Sequence, residues 1–306
     1  MARWRPCARV EIARELTGYH SANTGLRRRQ ASRPTVSSPS QERSLDPASI
    51  HITRWGDSGP RVIMVHGGAQ GSAVGGERNF SAQKPLAERG WQLIVPDRPG
   101  HGQSPNPGRP DDAEADGAWV AELVGDGAHL VGHSFGGCVA LAAAAKRPAV
   151  VRSLTLIEPG MLKFATSNPH VKRFVFRLLL TTLFSPSAVR RAERFANLIG
   201  LPPEIRGRYD REELKRVGRS LARGKIPSKS AIARELTETK RAEIPLLVVT
   251  GGWSPAFEAT GDMVAAAGGG HRVVIKSGHH FPHLMSDEFN QILTVFLEKS
   301  DARQKA

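Results

Sequence analysis

The stretch AHLVGHSFGGCVALAAAAKRP, residues 128–148, joins two different hydrophobic patterns. Its first part is a short, almost continuously apolar run, typical of a strand that is buried on both faces of a parallel sheet. Its second part is rich in alanine and stops at Pro148, as expected for a compact helix. Between them, residues 132–136 read GHSFG, the pattern G-x-S-x-G. The glycines permit a sharp strand-to-helix turn that leaves a hydroxyl exposed, so Ser134 is a candidate nucleophile.

Similar apolar runs recur five times after residue 50. They are RVIMVHGG (61–68), WQLIVPD (91–97), VRSLTLIEPG (151–160), IPLLVVTGG (244–252) and HRVVIKSGH (271–279). Each run ends in glycine or a polar residue, where a loop must begin. Longer helical patterns, such as DEFNQILTVFLEK at 287–299, alternate with them. The alternation predicts an α/β fold with a mostly parallel central sheet covered by helices.

Between Gly160 and Ile244 the alternation stops. Four helical patterns replace it, and turns that contain proline or glycine separate them, at roughly 170–184, 187–199, 210–222 and 229–241. A helical insertion here would lie over the carboxyl ends of the strands, where open α/β sheets bind ligands. We therefore predict a helical lid over residues 160–242, on a core formed by residues 46–159 and 243–306.

The formal charge of +14 is distributed unevenly. Residues 1–45 contain nine Arg against three Glu, and residues 160–241 contain 19 Lys and Arg against seven acidic residues. The remaining chain, which carries the motifs, has 15 basic and 19 acidic residues. A nucleic-acid enzyme is expected to place basic groups near its chemistry, so we expect no nucleic-acid partner. The Arg-, Ser- and Pro-rich residues 1–45 have the composition of a disordered tail.

The sequence gives weak signals for membranes, disulfides and metals. The most apolar run, FVFRLLLTTLF at 174–184, is too short to span a bilayer and contains Arg177, so we expect no membrane partner. The two cysteines, Cys7 and Cys138, imply no disulfide framework, which favours the cytoplasm. The histidines of residues 279–283 lack acidic or cysteine partners at a metal-ligand spacing, so we expect no metal and no organic cofactor. No pattern specifies an oligomeric state.

Three further motifs accompany the serine. They are HGG at 66–68, PDRPGHGQS at 96–104 and SGHHFPH at 277–283. Together with GHSFG, they make residues 50–300 resemble the α/β-hydrolase fold family with a helical cap. In that resemblance the first two motifs match the loops after the family's third and fourth strands, the third matches its histidine loop, and the lid follows the strand that the family counts as its sixth.

The resemblance implies a role for each motif. Ser134 would attack the substrate, and the backbone N–H groups of Gly68 and Phe135 would hold the oxyanion that develops. Three histidines compete for the role of general base: His279, His280 and His283. The family pattern, Gly-His followed ten positions later by an aromatic residue in the last helix, selects His279 with Phe289. His283 is the alternative.

The acid that orients such a histidine is missing from its usual place. In most of the family it follows the strand that LLVVTGG represents, but here Ser254 stands there. A few relatives, the haloalkane dehalogenases among them, take the acid from the end of the preceding strand, where this chain has TLIEPG. We therefore expect Glu158 to be the acid, with Glu258 and Asp262 as alternatives.

The expected function is a serine hydrolase that cleaves an ester, lactone, thioester or activated C–C bond in a small, mostly apolar substrate. In the lid, Phe174, Leu180 and Phe184 are expected to line the substrate cavity, with Arg173 or Arg177 at its rim. These side chains have the alternative of packing the lid onto the core. Two other functions remain open: a non-hydrolytic binder of small molecules on the same fold, and an acyltransferase.

Overall fold

A seven-stranded sheet forms the centre of the protein in its computed structural model, which describes residues 49–305. The strands are β1 (Ile52–Trp55), β2 (Arg61–Val65), β3 (Gln92–Pro96), β4 (Ala128–His133), β5 (Val151–Ile157), β6 (Leu246–Thr250) and β7 (His271–Val274). Their order is β1-β3-β2-β4-β5-β6-β7. The edge strand β1 is antiparallel to β3, and the other described pairs are parallel.

The α/β fold and its six predicted strands are confirmed. Strand β1 was not predicted, because it is a four-residue edge strand without a continuous apolar run. The lid follows β5, the fifth strand of the described residues. The predicted tail, residues 1–45, lies outside the described residues.

Helices cover both faces of the sheet. They are α1 (Gly76–Phe80), α2 (Pro85–Glu88), α3 (Ala113–Val124), α4 (Phe135–Lys146), α5 (Pro169–Leu183), α6 (Ala188–Leu198), α7 (Pro203–Arg206), α8 (Arg211–Leu221), α9 (Lys229–Arg241), α10 (Pro255–Gly268) and α11 (Ser286–Lys305). On one face, α3, α4, α9 and α10 enclose a core around Leu130 and Leu154. On the other, α1, α2 and α11 pack Phe80, Leu86 and Phe289 against the strands.

Polar side chains fix the start of several helices. The Asp112 carboxylate accepts hydrogen bonds from two backbone N–H groups at the start of α3. Ser187, Asp210 and Ser228 make the corresponding contact at the starts of α6, α8 and α9. These caps satisfy backbone donors that have no partner within a helix, so the lid helices begin at defined residues.

The four helices predicted in the insertion are α5, α6, α8 and α9, and α7 is an additional single turn. Helix α9 packs on α4 and α10, where Ile232 and Leu236 join the main core. Helix α8 is bonded to the loop after β2: the Glu213 carboxylate accepts from Ala73 N–H, and the Arg216 Nε donates to Gly71 O. None of the helices between residues 49 and 305 combines the length and hydropathy needed to cross a bilayer.

Candidate active site

Ser134 lies at the sharp turn between β4 and α4, as the G-x-S-x-G pattern predicts. Its backbone has φ 56° and ψ −121°, a region that is unfavourable for residues other than glycine. The turn is held by Ser134 N–H, which donates to Ile157 O at 2.9 Å, and by Gly160 N–H, which donates to Ser134 O at 2.9 Å. A side chain at Gly136 would collide with the carbonyl oxygen of Val65, so glycine is required there. The fold therefore stabilises the strained serine conformation.

His280 lies between Ser134 and Glu158. Its Nε2 is 2.8 Å from Ser134 Oγ, and its Nδ1 is 2.9 Å from Glu158 Oε2. Because the Glu158 carboxylate accepts a hydrogen bond from Nδ1–H, Nε2 is left to accept the Ser134 hydroxyl proton. The ring is buried and packs against Phe257, with 4.5 Å between ring centroids. Ser134, His280 and Glu158 thus form one hydrogen-bonded chain.

The selection of His279 from the sequence is wrong in its geometry. His279 is half-buried, its Nδ1 accepts a hydrogen bond from Phe281 N–H at 3.1 Å, and its carbonyl oxygen accepts one from Ser277 Oγ at 2.6 Å. Gly278 adopts φ 70°, which turns the chain just before the histidine pair. After this turn the next residue, His280, points inward to Ser134.

His283, the alternative base, lies in the short 3₁₀ turn Pro282–Leu284. Its Nε2 donates to Asn79 O at 3.0 Å, and burial lowers the pKa of the ring to about 3. The histidine is therefore neutral and bonded to backbone. It makes no hydrogen bond to Ser134.

Glu158 ends β5 with a fully buried side chain and a strained backbone, φ 45°. Its carboxylate accepts hydrogen bonds from Gly251 N–H at 2.6 Å, from Trp253 Nε1–H at 3.0 Å and from His280 Nδ1–H. A buried carboxylate is costly without such donors. Three donors therefore fix its orientation.

The alternative acids have other partners. Glu258 accepts hydrogen bonds from Thr250 Oγ1 and Gly252 N–H, both at 2.9 Å, and pairs with Arg272. Asp262 is exposed and also pairs with Arg272. Neither contacts a histidine. The position that Ser254 occupies is the residue before α10, where its buried side chain makes no capping hydrogen bond.

Two backbone amides face the cavity beside Ser134. Gly68 follows β2 with φ 90°, and Phe135 is the first residue of α4. Among the described residues neither N–H has a hydrogen-bond acceptor, and both residues line the cavity. The neighbouring Gly67 lies so close that a Cβ there would be 2.7 Å from Ser134 Cβ. Free N–H groups at a helix N-terminus and a glycine loop suit a developing negative charge.

The fully buried Arg98, from the motif PDRPGHGQS, links these two amides and was not singled out from the sequence. Its Nε donates to His66 O at 3.0 Å and its Nη2 to Gly68 O at 3.3 Å. Its guanidinium carbon lies 4.8 Å from the centroid of the Phe135 ring. One side chain therefore contacts both residues whose N–H groups face the cavity.

Two carboxylates neutralise this arginine. Arg98 Nη1 donates to Asp111 Oδ1 and to Asp116 Oδ2, both at 2.9 Å. Burial opposes the charge, but the two carboxylates outweigh it and raise the pKa of Arg98. Asp111 also accepts from Gln70 N–H at 2.7 Å, so the cluster supports the loop after Gly68. A buried charged residue in a glycine- and proline-rich loop was the signal available in the sequence.

The remaining histidines of the motifs bond to backbone. His66 Nδ1 donates to Gly67 O at 2.7 Å, and its Nε2 accepts from Arg98 N–H. His133 Nε2 donates to His280 O at 2.9 Å. Burial lowers the pKa of both rings well below the usual value, so both are neutral. Their contacts agree with the predicted role in bracing loops.

A cavity of about 370 Å³ opens above Ser134 and His280. Helix α5 contributes Phe174, Val175, Leu178 and Thr182 to its wall, and further apolar side chains come from α6 and α8. The prediction is confirmed for Phe174 as a lining residue. It is wrong for the two other predicted lining residues, Leu180 and Phe184, which are 39% and 69% exposed on the outer side of the lid. The helical repeat explains this, because residues four apart share a face and both lie off the face of Phe174 and Leu178.

Two further sequence features concern metals and cysteine. Across residues 49–305, no group of three or more His, Cys, Asp and Glu side chains is arranged to hold a metal ion. Cys138 is buried within α4 as a free thiol, and burial raises its pKa to about 12. Cys7 lies outside the described residues. The thiol of Cys138 is therefore unreactive.

Two curated proteins match the chain over its serine motif and neighbouring regions. The chain is 34% identical to Lipase LipV of Mycobacterium tuberculosis over 151 residues, which are 47% of this chain and 54% of LipV. It is 34% identical to 2-hydroxy-6-oxo-6-phenylhexa-2,4-dienoate hydrolase of Burkholderia cepacia over 134 residues, 42% of this chain and 46% of that enzyme. The chain thus spans about half the length of these relatives.

A solved structure supports the fold over a longer range. A hydrolase from Oleispira antarctica superposes with a TM-score of 0.62 at 18% identity, covering 83% of this chain and 96% of that protein. The family model described as "Alpha/beta hydrolase family" matches residues 62–292, which include Ser134, Glu158 and His280. On this match, the chain belongs to the alpha/beta hydrolase family.

Proposed function

We propose that the protein is a serine hydrolase that cleaves carboxylic esters with an apolar acyl group through an acyl-enzyme. The observation that carries the proposal is the hydrogen-bonded chain Ser134–His280–Glu158 at the base of an apolar cavity. A serine hydroxyl is a weak nucleophile until an adjacent base accepts its proton. Here the distance of 2.8 Å from Ser134 Oγ to His280 Nε2 supports direct proton transfer.

In this mechanism Ser134 Oγ attacks the ester carbonyl carbon as His280 Nε2 takes the hydroxyl proton. The carbonyl oxygen becomes an oxyanion that accepts hydrogen bonds from the N–H groups of Gly68 and Phe135. The tetrahedral intermediate collapses, the C–O bond to the alcohol breaks, and His280 returns the proton to the leaving alcohol. A water molecule, deprotonated by His280, then releases the acid from Ser134.

Glu158 acts by holding the imidazole and stabilising its charged form. Its carboxylate keeps the proton on Nδ1 in the resting state and faces the positive charge that forms during attack. The N–H groups of Gly251 and Trp253 Nε1 support the carboxylate in that position. Catalysis thus depends on a buried group that need not touch the substrate.

The chemistry of the cavity favours neutral, apolar substrates. Its walls are mainly leucine, isoleucine, valine and phenylalanine side chains. A cavity with apolar walls and few polar groups binds hydrocarbon well and charged groups poorly. Esters of short and medium acyl chains are therefore the first substrate class to test.

A second candidate is hydrolysis of an activated C–C bond, the chemistry named for the Burkholderia cepacia relative. The observation in its favour is Arg78, which lines the cavity and would pair with a carboxylate on such a substrate. Under this alternative, Arg78→Gln lowers kcat/KM for a carboxylate-bearing vinylogous diketone and leaves a neutral ester unaffected.

The test is a screen of purified protein against p-nitrophenyl esters, lactones and vinylogous diketones, together with labelling by a fluorophosphonate probe. We expect ester turnover and labelling at Ser134, both lost in Ser134→Ala with the fold retained. Products formed with added alcohols separate hydrolysis from acyl transfer. Folded protein that is neither labelled nor active would instead favour a binder, and labelled Ser134→Ala would refute the assignment.

A further inference from the structure

The outer face of α5 and the residue after it expose a cluster of large apolar side chains. Five of the nine large hydrophobic side chains that are exposed between residues 49 and 305 fall in this one segment: Phe176, Leu179, Leu180, Leu183 and Phe184. The first and fourth are 59% and 62% exposed. Their spacing of three or four residues places them along one side of the helix. We call these five residues the outer apolar face. Contiguous apolar surface of this kind marks an interaction site.

Basic side chains surround the outer apolar face. Lys172, Arg173 and Arg177 are exposed on α5, and Arg190 is exposed at the start of α6. Arg194 Nη1 donates to Phe184 O at 3.2 Å, which places it at the end of α5. Residues 169–194 contain six Lys and Arg and one acidic residue. The face thus combines apolar side chains with a strong positive charge.

This combination limits what binds there. A symmetric dimer through the face would bring the same basic groups of two copies together, where they repel. Residues 1–45 carry nine Arg and three Glu, so the same repulsion disfavours them. An anionic surface with an apolar interior is complementary in both respects.

We propose that the outer apolar face docks on the surface of an anionic phospholipid bilayer. Helices with basic residues on one side and Phe and Leu on the other lie in the interface, with the apolar residues inserted among the acyl chains. Basic residues add attraction to the anionic headgroups. The expectation of no membrane partner considered spanning segments, whereas this helix would lie in the plane of the surface.

Docking through α5 would bring the cavity close to the lipid. The opposite face of the same helix lines the cavity through Phe174, Val175, Leu178 and Thr182. If the proposed function holds, lipid-dissolved esters would reach Ser134 from the membrane side of the lid. The docking itself does not depend on the proposed function, since the exposed residues are outside the cavity wall.

The test is cosedimentation of the full chain with vesicles of phosphatidylcholine or of equal parts phosphatidylcholine and phosphatidylglycerol. We expect binding to the anionic vesicles that weakens in high salt. Phe176→Ser combined with Leu183→Ser should lower partitioning by about a hundredfold or more, because two inserted apolar side chains are lost. Arg173→Gln combined with Arg177→Gln should lower it by about thirtyfold.

A matched control removes an exposed apolar residue and an exposed basic residue elsewhere. Val295→Gln with Lys299→Gln on α11 should bind vesicles like the unmodified chain. Residues 1–45 are present in every variant, so binding that persists in the Phe176/Leu183 variant would show that the tail is responsible and would overturn the proposal.

Three other results would overturn it as well: no binding to anionic vesicles, equal loss in the control variant, or a dimer in analytical ultracentrifugation that only the Phe176/Leu183 variant abolishes. Hydrolysis of a water-soluble short ester is measured on each variant without vesicles and should be unchanged. An unmodified chain that binds vesicles without cleaving esters would refute the proposed function and leave the docking surface intact.

Discussion

The edge of the sheet that carries Ser134 and the outer face of α5 differ in how their residues are satisfied. At the sheet edge, the side chains of Ser134, His280 and Glu158 have hydrogen-bond partners, and two of these residues have strained backbones that the surrounding turns stabilise. On α5, large apolar side chains face solvent. The first region is preorganised for chemistry by the fold alone, whereas the second has apolar surface that folding of the described residues leaves uncovered.

The largest effect is expected at the acid. Glu158→Gln should keep the fold and lower kcat by about two to four orders of magnitude, because the amide no longer stabilises the charged imidazole. Glu258→Gln is the matched control, and its kcat should change by less than about tenfold, since Glu258 contacts Arg272 and not His280. Steady-state kinetics on a p-nitrophenyl ester decides. An active Glu158→Gln enzyme beside an inactive Glu258→Gln enzyme would return the acid to the loop after β6.

A smaller but measurable effect is expected in the support behind the two amides. Arg98→Met leaves Asp111 and Asp116 buried without their cation and should lower the free energy of unfolding by about 3–5 kcal/mol. Arg109→Met, which removes only the partly exposed partner of Asp116, should lower it by about 2 kcal/mol or less.

Urea denaturation measures both Arg variants, and fluorophosphonate labelling of the folded fraction reports on Ser134. We expect slower labelling in Arg98→Met than in Arg109→Met. Equal stability losses and equal labelling rates would show that Arg98 has no special role in positioning the loop.

The smallest effect separates the two faces of α5. Phe174→Ala should lower the preference for a medium-chain over a short-chain ester by about tenfold, because it removes apolar contact inside the cavity. Leu180→Ala on the outer face should change that preference by less than about twofold in the absence of lipid. The ratio of kcat/KM values for the two esters measures this. An equal response of both variants would contradict the assignment of inner and outer faces.

Much of the fold followed from local sequence patterns. Continuous apolar runs gave the positions of β2 to β7, and Ser134 and Glu158 come together because adjacent parallel strands end at the same sheet edge. Strand β1 was missed, since a short edge strand with half-exposed residues has no such run.

The errors at the site came from questions of one residue or one helix face. His279 and His280 are adjacent in an irregular loop, where the turn at Gly278 decides which ring points inward and no periodicity applies. Leu180 and Phe184 were chosen for hydrophobicity alone, although the spacing from Phe174 to Leu178 defines the inner face of α5. The role of Arg98 depends on contacts between distant loops, which a single sequence does not encode locally.

The central claim is that His280, not its neighbour, is the base for Ser134. The most direct measurement is the rate of Ser134 labelling by a fluorophosphonate in His280→Gln and His279→Gln, with thermal unfolding as the check on the fold. We expect labelling to slow by about a thousandfold or more in His280→Gln and by less than about tenfold in His279→Gln. Rapid labelling of His280→Gln beside a nearly unreactive His279→Gln would contradict the account.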